Sequence, residues 1–597
     1  LGKKVLNVAT FGLAGLVPGK AGKILRSAIL IGAGIASGNP QLIVAGVAMG
    51  ASALKSTKGP KTSPSALDRL SASIDPRTPR KGVFGDTAFN TDVRDQEFTG
   101  TDNEFLHRFV VTASHRITSY REIHFDDKVA WTSTGGVQGE FVGYLTVEFI
   151  LEGNADNAIN ISSRMGNTRR FTGCSYVHFR YKTTGNDKKT NSPFAQSIPS
   201  RLTIVGEGMP VYDPRYDSTA PGGSGPARAN DQTTWQYSYY GSSSGRNPAC
   251  QMITYLLGWR IRNPVTGEWR LALGKGQPVN RLDVPSFITA ANLCEETVTL
   301  AAGGDVEPRY CSDGVFSEFD QATDVLDNLK AAMGAELDDM DGLIRVTVLH
   351  NDLAVPVLAL TADDVLDDFT WNPRASLEET RNVVRGSYTD PSEKSLYQMV
   401  PYPDVTLASP DGIERAEPVN YQFVQSVSQA QRLSKQRLQR AQYAGTFTAN
   451  FKSRLWRVQK NDIVSFTFGP AGFVTKLFRV VDIETRVDGI VPVTLREEHP
   501  NIYLWDAEER PAVQAVPSTP YTNFDLPVTR FLATVAEGAD VTGDNVAGDF
   551  AGRGALATLN AVTYGTSTAS GFGALAGRST ARLGNEVYLS NGTTLAT

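Results

Sequence analysis

The sequence predicts a mainly β chain with short helices, an α+β protein of several domains. From about Val83 onward, short runs rich in β-branched and aromatic residues alternate with polar turns, as strands do. Four stretches among them carry helical spacing with recognisable starts or stops. The chain has 597 residues and is 41% hydrophobic, enough to bury several cores, because single cores stop growing near about 250–300 residues.

The chain begins differently from the rest. Its first 67 residues carry eight basic side chains and no acidic one. Between Arg26 and Lys55 there is no charge at all, in the run AILIGAGIASGNPQLIVAGVAMGASAL. Asn39-Pro40 interrupts that run, and proline disfavours helix in the residue before it. Two short helices joined there are expected, with Ile29, Leu30 and Ile31 on the first. Gly34 and Gly38, and then Gly46 and Gly50, have the spacing that lets helices approach other backbones closely. The segment is a candidate for packing in a lumen or meeting a membrane, and KSTKGPKTSPSALD ends it.

Strands are expected at 106–117, 143–151 and 173–182, and at 201–217 a strand followed by a turn and an extended tail. Loops rich in Gly, Pro and Ser follow at 218–230 and 241–248. Helices are expected at 247–258 and 285–296, each with proline near its first turn, where the missing N–H is harmless. A third helix at 321–334 stops at Gly334, and 335–349 reads as a hairpin turning at Asp341-Gly342. VQSVSQAQRLSKQRLQRAQ is a fourth helix, followed by four strands between 443 and 498. The last stretch is Gly/Ala/Thr-rich. There GALATLNAVTYGT and GALAGRSTARLGN repeat with a 19-residue offset, a pattern that needs neighbouring copies to bury a core.

The net charge of −5 conceals a strong segregation. Residues 295–368 hold 18 Asp/Glu against three Lys/Arg, whereas 418–461 hold eight basic residues and no acid. Arg432, Lys435, Arg437 and Arg440 on the fourth helix, and Asp338, Asp339 and Asp341 in the hairpin, are candidate inter-subunit electrostatic contacts. The two blocks can neutralise each other within one chain or between neighbours, and such complementarity aligns partners. An acidic surface also repels DNA passing beside it, as suits the wall of a conduit.

Signals for catalysis are poor. GSSSG at 241–245 matches G-x-S-x-G, with Ser243 as the nucleophile, and WQYSYY before it is strand-like. GRNPAC after it reads as loop where the motif needs a helix. The six histidines lack helical metal-site spacing, and LDDMDG and ADDVLDD lack the EF-hand pattern. The four cysteines form no C-x-x-C pair and are expected as reduced thiols. No enzyme activity, cofactor or metal is expected.

Several strings nevertheless resemble, in order, the phage tail-tip attachment protein J family and the host-specificity proteins of gene transfer agents. They are PRTPRKGVFGD, HRFVVTASHRITSYREIHFDDKVA, SRLTIVGEGMPVYDPR, NPACQMITYLLG, SFITAANLCEETVTL and RYCSDGVFSEFDQATDVLDNLKAAMGAELDDMDGLIRV. NVVRGSYTDPSEKSLYQMVPYPDV and the stretch from TFTANFKSRLWRVQKNDIVSFTF to LREEHPNIYLWD complete the series, which spans about residues 76–506.

The resemblance implies baseplate-hub-like β-barrel or sandwich domains arranged as a homotrimeric ring, with an N-terminal helical arm and a C-terminal stalk. Expected segments are an arm at 1–75, four hub domains at 76–130, 131–305, 306–415 and 416–510, and a stalk or fibre base at 511–597. The family's partners would be distal tail and other tail-tip proteins, the tape-measure protein, fibre or receptor-binding proteins, and phage DNA passing without sequence-specific binding. The arm adds the host outer envelope membrane to these. A tail-tip hub in the virion, assembled in the host cytoplasm, is the expected role; a receptor-binding adhesin acting through the stalk and an envelope-degrading hydrolase are the alternatives. The start at Leu1 and the stop at Thr597 fit a piece of a longer tail protein. Deleting residues 1–60 is expected to block genome delivery and leave adsorption intact, measured by DNA-uptake and adsorption assays on assembled particles.

Overall fold

The computed structural model describes residues 78–504 except 155–158, 163–169, 184–191, 195–197, 200, 301–305, 375–379, 393–394, 410, 485 and 487. These lie in one unit of the chain, Leu1–Ala515. The apolar arm, the stalk and its repeats lie outside the described residues.

The first part of the chain is a β-sandwich. Its strands are β1 (Lys81–Phe84), β2 (Asp86–Ala88), β3 (Asp92–Thr99), β4 (Phe105–Ala113), β5 (Ser119–Phe125), β6 (Lys128–Thr132), β7 (Gly136–Val137), β8 (Leu145–Ile150), β9 (Ser175–Lys182) and β10 (Leu202–Glu207). One sheet runs β2-β10-β5-β6-β7 and the other β3-β4-β9-β8. Alternation places Ile123, Phe125, Leu202 and Ile204 of the first sheet against Val110, Val177, Phe179 and Tyr181 of the second. The β5–β6 hairpin turns at Asp126 and Asp127, both with positive φ, as a two-residue turn between twisted strands requires.

A helical centre follows. It contains α1 (Pro248–Leu257), β11 (Trp259–Arg262), β12 (Trp269–Leu273), α2 (Val284–Glu295), β13 (Thr297–Thr299), β14 (Val306–Pro308), β15 (Gly314–Ser317), α3 (Ala322–Met333), β16 (Ala335–Met340) and β17 (Leu343–Val348). Every residue of α1 is buried, and Asn247 caps it by accepting from the N–H groups of Ala249 and Cys250. Helix α3 ends at left-handed Gly334, and the β16–β17 hairpin turns at Asp341-Gly342, as the sequence predicts. WQYSYY, by contrast, is not a strand: its one sheet-like contact is a bridge from Gln236 to Val211. Trp235 and Tyr239 are buried there as separate anchors, which gives the run its strand-like composition without a ladder partner.

The last part closes a barrel. Short strands β18 (Leu358–Leu360) and β19 (Val365–Asn372) precede β20 (Val383–Arg385), β21 (Ser387–Asp390), β22 (Gln398–Pro401), β23 (Val405–Thr406) and β24 (Ala416–Pro418). Helix α4 (Val427–Gln442) leads into β25 (Thr446–Lys452), β26 (Ile463–Phe468), β27 (Phe473–Ile483) and β28 (Ile490–Glu497). The sheet order is β18-β26-β27-β28-β25-β19. Its two edges are therefore one continuous piece of chain, bent at the capped turn Thr361–Asp364, which joins β26 on one side to β25 on the other. Phe447, Phe451, Phe466 and Phe478 fill the interior.

Sequence neighbours do not dictate the pairing. Strand β1 pairs antiparallel with β15, Gly82 lying opposite Phe316. A Cβ on Gly82 would fall 2.3 Å from the Phe316 ring, so this close approach requires glycine. His115, fully buried, locks β1 in place: its Nε2 accepts from the Val83 N–H at 2.9 Å, which puts the ring proton on Nδ1 facing the Arg116 carbonyl.

Burial pushes the His115 pKa down to about 4. Because the folded value lies below the ordinary value near about 6.5, this contribution is complete above that pH and is lost as pH falls toward 4. His115→Gln, which keeps an acceptor but does not titrate, is expected to flatten the loss of stability between pH 6.5 and 4, measured by urea midpoints across that range.

Candidate functional site

The segregated charges meet within the chain. Among the described residues, Arg432–Glu307 at 3.0 Å, Lys460–Asp338 at 2.6 Å and Arg454–Asp364 at 2.8 Å tie the acidic stretch 295–368 to the basic stretch 418–461. The pairs differ in environment. Arg432 is buried on α4, Glu307 is nearly so, and Arg432 also donates to the Arg309 carbonyl. Arg454 is far more exposed, and its buried partner Asp364 also accepts from the Thr361 N–H and hydroxyl, so this pair contributes less.

The other charged candidates are placed as follows. Arg437 pairs with Glu417 at 2.7 Å. Arg440 approaches Glu498 at 3.7 Å and donates to the Tyr503 hydroxyl at 2.8 Å. Asp339 pairs with Arg281 at 3.0 Å. Lys435 is half-buried on α4, and Asp341 stands exposed in its turn. Ile29, Leu30, Ile31, Gly34, Gly38, Gly46 and Gly50 lie outside the described residues.

Helix α4 is less a surface element than its composition suggests. Ser428, Gln429, Gln431, Ser434 and Gln436 are all buried on it. Gln429 explains why: its Nε2 donates to the Cys311 and Ala332 carbonyls, and its Oε1 accepts from the Cys311 N–H. A buried amide satisfied in this way holds backbone that has no ladder partner.

Two of the family-like strings are structural latches. In VYDPR, buried Asp213 accepts from the Arg215 backbone and side chain and from the Ser244 hydroxyl at 2.6 Å. Arg215 then reaches Glu295 at the end of α2. In CSDG, buried Asp313 takes both ends of Arg246 and the N–H of Asp86. Such forked arginine–carboxylate pairs fix geometry between segments distant in sequence.

Ser243 lies before a 3₁₀ turn, Ser244–Arg246, with no strand leading into it. The neighbouring Ser244 hydroxyl is spent on Asp213. His107 and His178 stack and share a hydrogen bond at 2.9 Å, and burial pushes His178 down to about 4. The four cysteines stand free, and burial raises all their thiols, Cys311 to about 12. Among the described residues no group of three or more His, Cys, Asp or Glu side chains is arranged to hold a metal, and no helix is long and apolar enough to cross a membrane.

A cleft of about 760 Å³ lies where α3 and α4 face the barrel strands β27 and β28. Composition alone did not reveal its arginines Arg479 and Arg496, because both occupy strands of ordinary alternation. The signal was register: the two are direct cross-strand partners.

No protein-family model matches the chain, and no curated protein matches it. Among solved structures it is similar to a chain of the native gene transfer agent virion, at 14% identity and TM-score 0.47, over 77% of this chain and 92% of that one. It is also similar to a tail protein from Neisseria meningitidis MC58, at 14% identity and TM-score 0.24, over 34% of this chain and 62% of that one. The prophage tail protein gp18 of Listeria monocytogenes EGD-e matches at 16% identity and TM-score 0.22, over 31% and 56% respectively.

Arg432→Ala leaves Glu307 largely out of water beside one remaining hydroxyl donor, Ser426. A loss of about 3 kcal/mol is expected, whereas Arg454→Ala is expected to cost under about 1 kcal/mol. Denaturant unfolding of the two variants measures the contrast.

Proposed function

We propose that this chain is a structural virion protein, the central hub of a phage-type tail tip. It closes the tail tube, carries fibres or receptor-binding parts, and couples attachment to release of DNA into the host. It performs no catalytic step of its own in this reading. Its partners are two further copies of itself, the adjoining tail and tail-tip proteins, the tape-measure protein inside, and the DNA that passes through.

The observation that carries the reading is the ordered series of family-like strings, together with where those strings meet. KGVF of the first string pairs with GVFS of the sixth. The third string joins them, as Met209 donates its N–H to the Val83 carbonyl and Gly208 donates to that of Gly85. A shared order of strings has a physical basis when the strings build one junction.

The assignment of three copies follows the family that the strings resemble, and exposed apolar side chains are available for contacts. Val265 and Trp269 project from the β11–β12 hairpin, and Tyr240 and Phe319 stand exposed elsewhere on the chain.

Native mass spectrometry of the full chain is expected to give three times 64.5 kDa. A stable monomer at micromolar concentration would overturn the hub reading.

A further inference from the structure

The cleft between α4 and the barrel contains an unusual concentration of guanidinium groups. Arg479 on β27 and Arg496 on β28 are direct cross-strand partners on the outer face of the barrel. Like charges placed so are destabilising. Arg440 approaches the same place from α4, and its backbone carbonyl accepts from Arg496 at 2.9 Å.

The available carboxylates do not neutralise all three. Glu498, almost wholly buried, bonds Arg479 at 2.8 Å and lies 3.7 Å from Arg440. Asp352 takes the other end of Arg479 at 2.7 Å. Arg496 has no ion pair among the described residues, and Glu336 and Glu498 offset its charge only at longer range. Its burial and the adjacent Arg440 both disfavour its charge, so the fold tolerates a half-buried cation at a cost.

The shape of the cleft narrows the partner. Seven Lys or Arg side chains line it against four Asp or Glu, over a floor that includes Ala331, Ala335 and Leu433. About 760 Å³ is within the range of sites that enclose a side chain and its flanking backbone. Glu336 and Glu417 on its walls oppose a continuous phosphate backbone, which disfavours nucleic acid. A short acidic peptide, whose carboxylates hang on flexible side chains from an uncharged backbone, suits all three features.

We propose that this cleft binds an acidic peptide segment of a neighbouring protein chain, with Arg496 receiving its carboxylate in a forked pair. The site does not depend on the trimer, so it can hold where the hub reading fails, and the reverse.

The test is calorimetric titration of the full chain at low salt with hexaglutamate, with hexaglutamine and a short DNA duplex as controls. Hexaglutamate is expected to bind and hexaglutamine not to. Arg496→Gln is expected to weaken hexaglutamate by about tenfold or more, the size of a lost charge-assisted pair, and Arg496→Lys is expected to fall between. Arg496→Gln is also expected to raise the melting temperature of the free chain by relieving repulsion with Arg479, whereas loss of a merely structural arginine would lower it. The proposal is overturned if hexaglutamate fails to bind, if Arg496→Gln binds it as well as the parent chain does, or if the duplex binds more tightly through Arg496.

Discussion

The structure depends on one short piece of buried chain, Tyr310–Asp313, and on the groups that satisfy its backbone. The segment leads into β15 and lies between α1 and α4. It donates its N–H groups in turn to the Cys294 carbonyl, the Gln429 side chain, the Arg246 carbonyl and the Phe423 carbonyl. Gln251 of α1 covers the Ser312 carbonyl and Gln429 of α4 covers that of Cys311. An unpaired peptide group in such a place costs as much as a lost hydrogen bond. Two glutamines on helices 178 residues apart in sequence therefore do for this segment what a sheet would do elsewhere. From it hang the β1–β15 pair, the Asp313–Arg246 fork and, through β1, the edge of the sandwich.

Much of the local structure was legible in the residues. Pro248 sits in the first turn of α1, Gly334 ends α3 in the left-handed region and Asp341-Gly342 turns its hairpin, whereas α4 starts three residues later than its pattern suggests because Ser426 caps it. Each of these is a short-range preference acting over two to four residues. Long-range pairing was not legible. Alternation in KGVF says that a strand has two faces, not that its partner is GVFS; nor does LAL at 358–360 announce a parallel partner in β26. The run WQYSYY misled because buried aromatics serve as anchors in irregular chain as readily as in strands.

The candidate site was half legible. The two charge blocks stand out in composition, and their mutual neutralisation follows from elementary electrostatics. Which arginine meets which carboxylate depends on the packing of α4, and that packing turns on buried amides that a basic, polar helix does not advertise. Arg496 was invisible for the opposite reason. Its strand alternates normally, and only the register sets it against Arg479. Charge thus has two uses here. Where acid and base segments meet, it fixes how parts of the chain are set against one another; where Arg496 faces Arg479 with no carboxylate of its own among the described residues, it is held in reserve.

The β1–β15 pairing also has a consequence in time. The ribosome delivers Lys81–Phe84 long before Gly314–Ser317, and α4, which secures the approach to β15, comes later still. At translation rates of roughly 5–20 residues per second, β1 waits on the order of ten seconds or more for its partner strand. During that interval Val83 can already pack in the sandwich core and bond His115, but β1 lacks its ladder partner and Phe84 lacks the Phe316 ring on which it stacks. Synthesis itself therefore imposes a delay before this junction can close, and the parts of the chain made first must hold β1 until its partner arrives.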